Sequence, residues 1–174
     1  MKKLLPLFLL FPLSACDEAE TSTLQAVPTV DVDAYMGTWY EIANFPMRFQ
    51  EGCTGTTATY ALDGDQVSVV NRCFKDSLDG KETVANGRAR IVDTESNAKL
   101  EVSFFGPFWG DYWIIDLAGD YSYAVVGHPD RSYLWILSRT PQMDPRVYAG
   151  ILERLEDESA YDLGPLTMTE QPQG

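Results

Sequence analysis

Residues 54–74 read TGTTATYALDGDQVSVVNRCF, two runs of β-type residues joined at Leu62-Asp63-Gly64-Asp65. Alternation with a period of two, interrupted by an Asp-Gly pair, predicts an antiparallel hairpin. The size of the side chains then decides the architecture. Thr54, Gly55, Thr56, Thr57 and Ala58 are small or polar, and so are Ala85, Gly87 and Ala89 in the run at 83–92. Two packed sheets would need bulky residues there, whereas an eight-stranded barrel can keep room inside for one small ligand. The residues favour a hollow barrel over a sandwich.

Outward from this hairpin the same grammar repeats. Further β-type runs lie at 38–44, 99–105, 112–117, 121–127 and 133–139, so that eight strands follow one another at spacings of about 12 residues with no helix between them. Short turns at 62–65, 93–97 and 118–120 alternate with longer connections at 45–53, 75–82, 106–111 and 128–132. Successive turns of an up-and-down sheet lie at opposite ends, so this predicts a cup with a tight base and a loop-rimmed mouth. After Arg139 the period changes. Asp144 is placed to cap a helix, Pro145 suits its first position, and Val147, Ile151, Leu152 and Leu155 share one face. A helix of about 12 residues is expected on the outer wall, with a short strand at Leu166-Thr167-Met168 beyond it.

The chain has 174 residues and a formal net charge of -13. Its first residues, MKKLLPLFLLFPLSAC, combine two lysines, an apolar run and small residues closing on Cys16. The run is near 10 residues where a bilayer span needs about 20, so it reads as a signal peptide. Its end resembles the lipobox of bacterial lipoproteins, which implies a lipid anchor on Cys16. Removal of residues 1–15 would leave 11 Lys and Arg against 26 Asp and Glu, a charge of -15. Such a surface excludes nucleic acid or anionic lipid as a partner attracted by charge. The acidic, Ser/Thr-rich stretch 16–30 reads as the lipidated N-terminus and a tether, followed by a domain over 31–172. Cys53 and Cys73 would then be the remaining cysteines, in an oxidising compartment, and are expected to form a disulfide. With residues 62 and 65 opposed, Cys53 faces position 74, and a bulge or a three-residue turn would be needed to bring it to Cys73.

Three short motifs have a family resemblance. Gly37-Thr38-Trp39-Tyr40-Glu41-Ile42-Ala43, Asp120-Tyr121 and Arg139 are similar, in order and spacing, to the three signatures of the lipocalins. Gly119 replaces the threonine usual before Asp-Tyr. The segments 102–110, VSFFGPFWG, and 129–141, PDRSYLWILSRTP, resemble the bacterial outer-membrane lipoprotein lipocalins, relatives of apolipoprotein D. The resemblance implies an all-β fold, an eight-stranded antiparallel up-and-down barrel with one C-terminal helix packed outside. It also implies structural roles for Gly37, Trp39, Asp120, Tyr121 and Arg139, with the guanidinium stacked on the indole at the base.

Parity along the first strand puts Trp39, Glu41 and Ala43 on one face, with Tyr40 and Ile42 on the other, under the helix. An inward Glu41 must find partners, for which Arg88 or Arg90 are the candidates. Aromatic residues gather toward the mouth, and the ligand-binding set is expected to be Tyr60, Asn71, Phe104, Trp113, Tyr133 and Trp135. Tyr123 is a further candidate wall position. Trp113 enters this set because Trp113, Ile115 and Leu117 are assigned inward; the opposite face, Tyr112, Ile114 and Asp116, would bury a carboxylate without a known partner. Arg154 is assigned to the solvent face of the helix. The apolar segment Phe105-Gly106-Pro107-Phe108-Trp109 is expected to contact ligand, membrane or another subunit, so a homodimer is one arrangement. His128 stands alone among Cys and His at metal-ligand spacing, and neither a metal nor a cofactor is expected.

The functional expectation is a non-enzymatic binding module. It is a lipid-anchored lipocalin that transports or stores a fatty acid or lysophospholipid in the bacterial envelope, with the acyl chain in the cup and the head group near mouth donors such as Arg131, Arg88 or a tyrosine. Its expected location is the outer membrane, with Asp17 pointing to the inner membrane as the alternative. A barrel enzyme acting on a bound lipid and a structural lipoprotein with a filled barrel are the rival readings.

Overall fold

A computed structural model describes residues 23–173. The signal peptide at 1–15, the lipidation site Cys16 and Asp17 lie outside the described residues. Strands β1 (Gly37–Asn44), β2 (Cys53–Asp63), β3 (Gln66–Lys75), β4 (Glu82–Ile91), β5 (Lys99–Ser103), β6 (Gly110–Leu117), β7 (Tyr123–Gly127) and β8 (Leu134–Ser138) are joined antiparallel in sequence order. Pairing of β1 with both β8 and β2 closes the barrel. Helix α1 (Val32–Tyr35) precedes β1, helix α2 (Pro145–Asp157) follows β8, and β9 (Thr167–Met168) adds to the end of β1. The expected barrel is the fold observed.

The β2–β3 hairpin turns through Gly64, at φ 64°, and pairs Asp63 with Gln66, so the turn sits one residue further along the chain than the expected 62–65 pairing. A bulge between Thr54 and Thr57, with Gly55 at φ 57°, shifts the register toward the mouth. Cys53 thereby pairs with Lys75, on the same face as Cys73 two residues along, and the two cysteines form a disulfide with their Cα atoms 5.4 Å apart.

Inside the base the barrel is filled. Trp39, Val69, Ile114 and Val126 are essentially without exposure, and they pack with Tyr35, Tyr60 and Tyr112 in one cluster. The Tyr112 hydroxyl is 2.8 Å from that of Tyr35 and 2.9 Å from that of Tyr60, so each buried hydroxyl has a partner. Arg139 closes the base from below. Its guanidinium carbon lies 3.7 Å from the Trp39 ring centroid, and its nitrogens donate to the carbonyls of Thr38, Ala34, Tyr35 and Met36. The oxygens of Ala34, Tyr35 and Met36 are groups a four-residue helix leaves unpaired at its C-terminus. Trp39 Nε1 donates to Tyr35 O at 2.9 Å, and Asp31 N donates to the Tyr121 hydroxyl at 2.8 Å. Gly37 at φ 97° admits Arg139, whose Nη1 would lie 3.4 Å from an added Cβ.

A second cluster lies outside the barrel, where Ile151 and Leu155 of α2 cover Ile42, Val125 and Ile136. Asp144 caps the helix by accepting from Arg146 N. Val147, expected on the packing face, is 41% exposed; Tyr148 joins the cluster instead. The stretch expected to be a tether is also packed where it is described. Leu24 and Val30 are buried, and Val27 N donates to Ile114 O on β6, just past the pairing of Trp113 with Lys99, the first residue of β5.

Toward the mouth β1 and β2 part, and the C-terminal segment fills the gap. Thr169 N donates to Ile42 O and Gly55 N to Glu170 O, while Gln171 Nε2 donates to the carbonyls of Glu41 and Thr56. A bulge between Glu41 and Ala43 breaks the parity of β1, so Ala43 joins Ile42 on the outer face. Glu41 points inward and is 4% exposed. Its carboxylate takes no arginine. It accepts from Asn44 Nδ2 at 3.0 Å, Gln50 Nε2 at 2.8 Å and the Thr169 hydroxyl at 2.6 Å. Arg88 and Arg90, its expected partners, flank the Trp109 ring instead, at 5.3 and 4.4 Å from its centroid. Burial pushes the Glu41 carboxyl up, and the bonds from Thr169 and Gln50 offset only part of that.

Both ends of the barrel can be probed by substitution. Arg139→Met, which leaves the α1 carbonyls without their donor, should lose about 2 kcal/mol or more in urea denaturation; a change within a few tenths would contradict the role of the guanidinium in the base. The folded state holds the Glu41 proton more tightly than the unfolded chain, so stability falls as pH rises through the raised value. As pH rises above the ordinary glutamate range wild type should therefore lose stability relative to Glu41→Gln, and parallel curves for the two proteins would contradict the burial.

Candidate functional site

Above the tyrosine layer the barrel is open. A cavity of about 570 Å³ occupies the mouth half between β2 and β6. Its walls come from small inward residues and a few rings. On β4, Thr83 and Ala85 point inward and remain exposed, whereas Ala89, on the same face nearer the base, is 2% exposed. Phe104, just beyond β5, lies against the same wall, and an added Cβ at Gly87 would come within 2.7 Å of its ring. Glycine at 87 therefore lets the ring lie across β4. The Cys53–Cys73 disulfide forms part of the β2–β3 side. At the rim Phe49, Phe105 and Phe108 are 66, 76 and 77% exposed. Gln50, Thr56, Asn71, Arg72 and Thr83 add polar groups to an otherwise apolar lining.

The tyrosines beneath are held neutral. Burial pushes Tyr60 up to about 12, and it raises Tyr35 and Tyr112 well above the ordinary tyrosine value. Below the cavity the barrel therefore carries hydroxyl groups rather than charge.

Of the residues expected to bind ligand, Asn71 and Phe104 line the cavity. Tyr60 belongs to the packed layer below it. Trp135 points inward and donates from Nε1 to Gln50 Oε1 at 3.3 Å, so it backs the lining residue Gln50. Tyr133, 40% exposed, stacks on Trp135 with the rings at 11° and 5.9 Å apart.

Trp113 is a correction. It packs in the outer cluster, with Lys99 Nζ 4.3 Å from its ring centroid, while Tyr112 and Ile114 face inward. The objection to that face was the burial of Asp116. A bulge between Ile114 and Asp116 removes it by shifting the register, so that Leu117 returns to the interior cluster. Asp116 then accepts from Arg154 Nε and Nη2 at 3.0 and 2.7 Å. Arg154 is accordingly engaged with the barrel wall and does not face solvent alone. Tyr123, expected on the wall, packs in the same outer cluster and its hydroxyl accepts from Arg154. The head-group donors expected from sequence are also engaged elsewhere: Arg131 Nε donates to Ser159 O, and Arg88 lies over Trp109.

Phe49, Gln50, Thr56, Thr83 and Ala85 were absent from the expected ligand set. For Thr56 and Ala85 the signal was present in the small residues of β2 and β4. For Phe49 and Gln50 it was not, because they sit on a single helical turn, Arg48–Gln50, within the first mouth loop.

The family model described as "Lipocalin-like domain" matches residues 30–171. The chain is 40% identical over 147 residues to "Outer membrane lipoprotein Blc" of Escherichia coli (strain K12), covering 84% of this chain and 82% of that one. It is 34% identical over 154 residues to "Apolipoprotein D" of Mus musculus, covering 81% and 77%. Among solved structures, insecticyanin from the tobacco hornworm Manduca sexta superimposes with a TM-score of 0.70 at 24% identity, covering 87% of this chain and 86% of that one, a likeness of fold. With the signature residues meeting at a sealed base beneath an open cavity, the chain belongs to the lipocalin-like domain family.

Proposed function

We propose that this protein binds an amphiphilic lipid, a fatty acid or lysophospholipid, in the mouth half of its barrel and carries or stores it in the bacterial envelope. The observation that carries this reading is the cavity of about 570 Å³ in the mouth half of the barrel, lined by the exposed Thr83 and Ala85. A filled structural barrel would bury them. The cavity volume falls in the range of small-molecule sites, and each acyl methylene moved from water onto its walls contributes about 0.8 kcal/mol. The phenylalanines at the rim offer an apolar path between cavity and surroundings. An outer-membrane location, with a lipid anchor on Cys16, is supported by the lipobox-like sequence and by similarity to an outer membrane lipoprotein. Binding is favoured over catalysis because Glu41, the one buried carboxylate among the described residues, is held by three neutral donors and contributes no cavity lining.

Titration of palmitate into two variants tests the site. Ala85→Trp fills the cavity and should weaken binding about tenfold or more, while Trp113→Ala, on the outer face, should bind within about twofold of wild type. Thermal melts establish that both are folded. Wild-type affinity in folded Ala85→Trp would overturn the placement of the ligand.

A further inference from the structure

The two ends of the barrel differ at their surfaces in a way that neither sealing nor binding requires. At the base the tight turns and the approach to β1 carry Asp31, Asp33, Asp63, Asp65, Glu95 and Asp120, all exposed. At the mouth the rim is marked by exposed phenylalanines: Phe105 and Phe108 in the loop between β5 and β6, and Phe49 in the first mouth loop, four strands round the barrel. Large apolar side chains gathered at one opening mark a surface that something covers.

The wall just outside this rim holds the polar half of the same surface. Arg88 and Arg90 point outward on β4. Arg88 pairs across with Ser103, the last residue of β5, and Arg90 with Glu101, one outward step nearer the base. Both guanidiniums lie against the half-buried ring of Trp109. Glu101 neutralises Arg90. Arg88 and, beside Phe49, Arg48 are exposed and take part in none of the salt bridges among the described residues. From the tip of the rim down its flank the order is therefore phenylalanine, tryptophan, then arginine without a counter-ion. A bilayer presents the complementary order in depth, acyl chains, then the interface where tryptophan settles, then phosphates.

Charge separates this occupant from the alternatives. Two copies of a chain of net charge -13 repel one another, whereas a zwitterionic lipid surface carries no net charge and offers phosphates to Arg48 and Arg88. The acidic base has nothing to gain from the same phosphates. The stretch from Cys16 to Thr23 spans at most about 25 Å when extended, and a tether does not by itself fix which end meets the membrane; the two surfaces do.

We infer that the barrel rests mouth-down on the bilayer that holds its anchor, with Phe49, Phe105 and Phe108 among the acyl chains, Trp109 at the interface, Arg48 and Arg88 at lipid phosphates, and the acidic base turned away. The inference rests on the lipid anchor at Cys16. In this orientation the cavity opens into the membrane, and a lipid passes between bilayer and barrel along phenylalanine instead of through water.

The test places the full lipidated chain on vesicles of phosphatidylethanolamine and phosphatidylcholine whose acyl chains carry bromine near the head group, a contact quencher of tryptophan. Flotation with the vesicles reads the anchor. The difference in quenching between wild type and Trp109→Phe isolates Trp109, because Trp39, Trp113 and Trp135 are common to both. Wild type should be quenched more than Trp109→Phe. The double variant Phe105→Asp/Phe108→Asp and, on the outer wall, Arg88→Glu should still float but lose most of that excess, with thermal melts establishing that they are folded. Ala85→Phe, which narrows the cavity, should keep the excess, since the quencher is the bilayer and not a lipid inside the barrel. Equal quenching of floating wild type and Trp109→Phe overturns the orientation and leaves the anchor intact. Loss of the excess in Ala85→Phe, or cross-linking of two copies through the rim without quenching, also overturns it. A chain that does not float removes the anchor and the docking together.

Discussion

Arg139 stacked on Trp39 is the contact on which the rest of the barrel depends. The indole fills the axis of the narrow end, and the guanidinium beneath it gathers four carbonyls from α1 and the start of β1. A cation that kept to the ring alone would leave those carbonyls to water; carbonyls without the ring would leave the base open. Tyr35 ties the two together, since its carbonyl takes bonds from Trp39 and Arg139 and its hydroxyl reaches Tyr112. With one end sealed by rings and hydroxyls, close packing is complete there, and the other end is free to be hollow.

The mouth is built on the opposite principle. Where β1 and β2 part, the backbone groups they release are taken by residues 169–171, so the barrel wall is continued by a segment far away in sequence. Glu41 sits at that junction and is bonded from the strand, the first mouth loop and the C-terminal segment at once. A buried carboxylate without a cation costs stability. It also fixes Gln50, which in turn holds Trp135 and borders the cavity. The ordering of the mouth is thereby coupled to one titratable group.

The architecture was legible in the sequence because it rests on local signals. Small residues at Thr56 and Ala85 announced a hollow interior, the alternation of short and long turns announced a base and a mouth, and Asp144-Pro145 announced the helix. Face assignments failed where alternation was carried across a bulge. No residue type marks the bulges after Glu41 and Ile114, yet each reverses the parity of the rest of its strand. The physical objection to an inward Tyr112 is sound, since Asp116 does need a partner. That partner is Arg154, 38 residues away on a helix whose rotation about its own axis was not encoded locally. Val147 was misplaced for the same reason. Glu41 was read as inward and in need of partners, but its donors come from a loop and the C-terminus, contacts of a kind that spacing does not reveal.

The barrel is packed at its base and hollow at its mouth, and the central claim is that a lipid resides in the hollow part. Paramagnetic broadening of side-chain methyl resonances by a spin-labelled fatty acid reads this directly. The account predicts saturable broadening at Thr56, Thr83 and Ala85, with Ile151 and Leu155 beneath α2 unaffected. Broadening centred under the helix, or none at the mouth residues at saturating ligand, would contradict it.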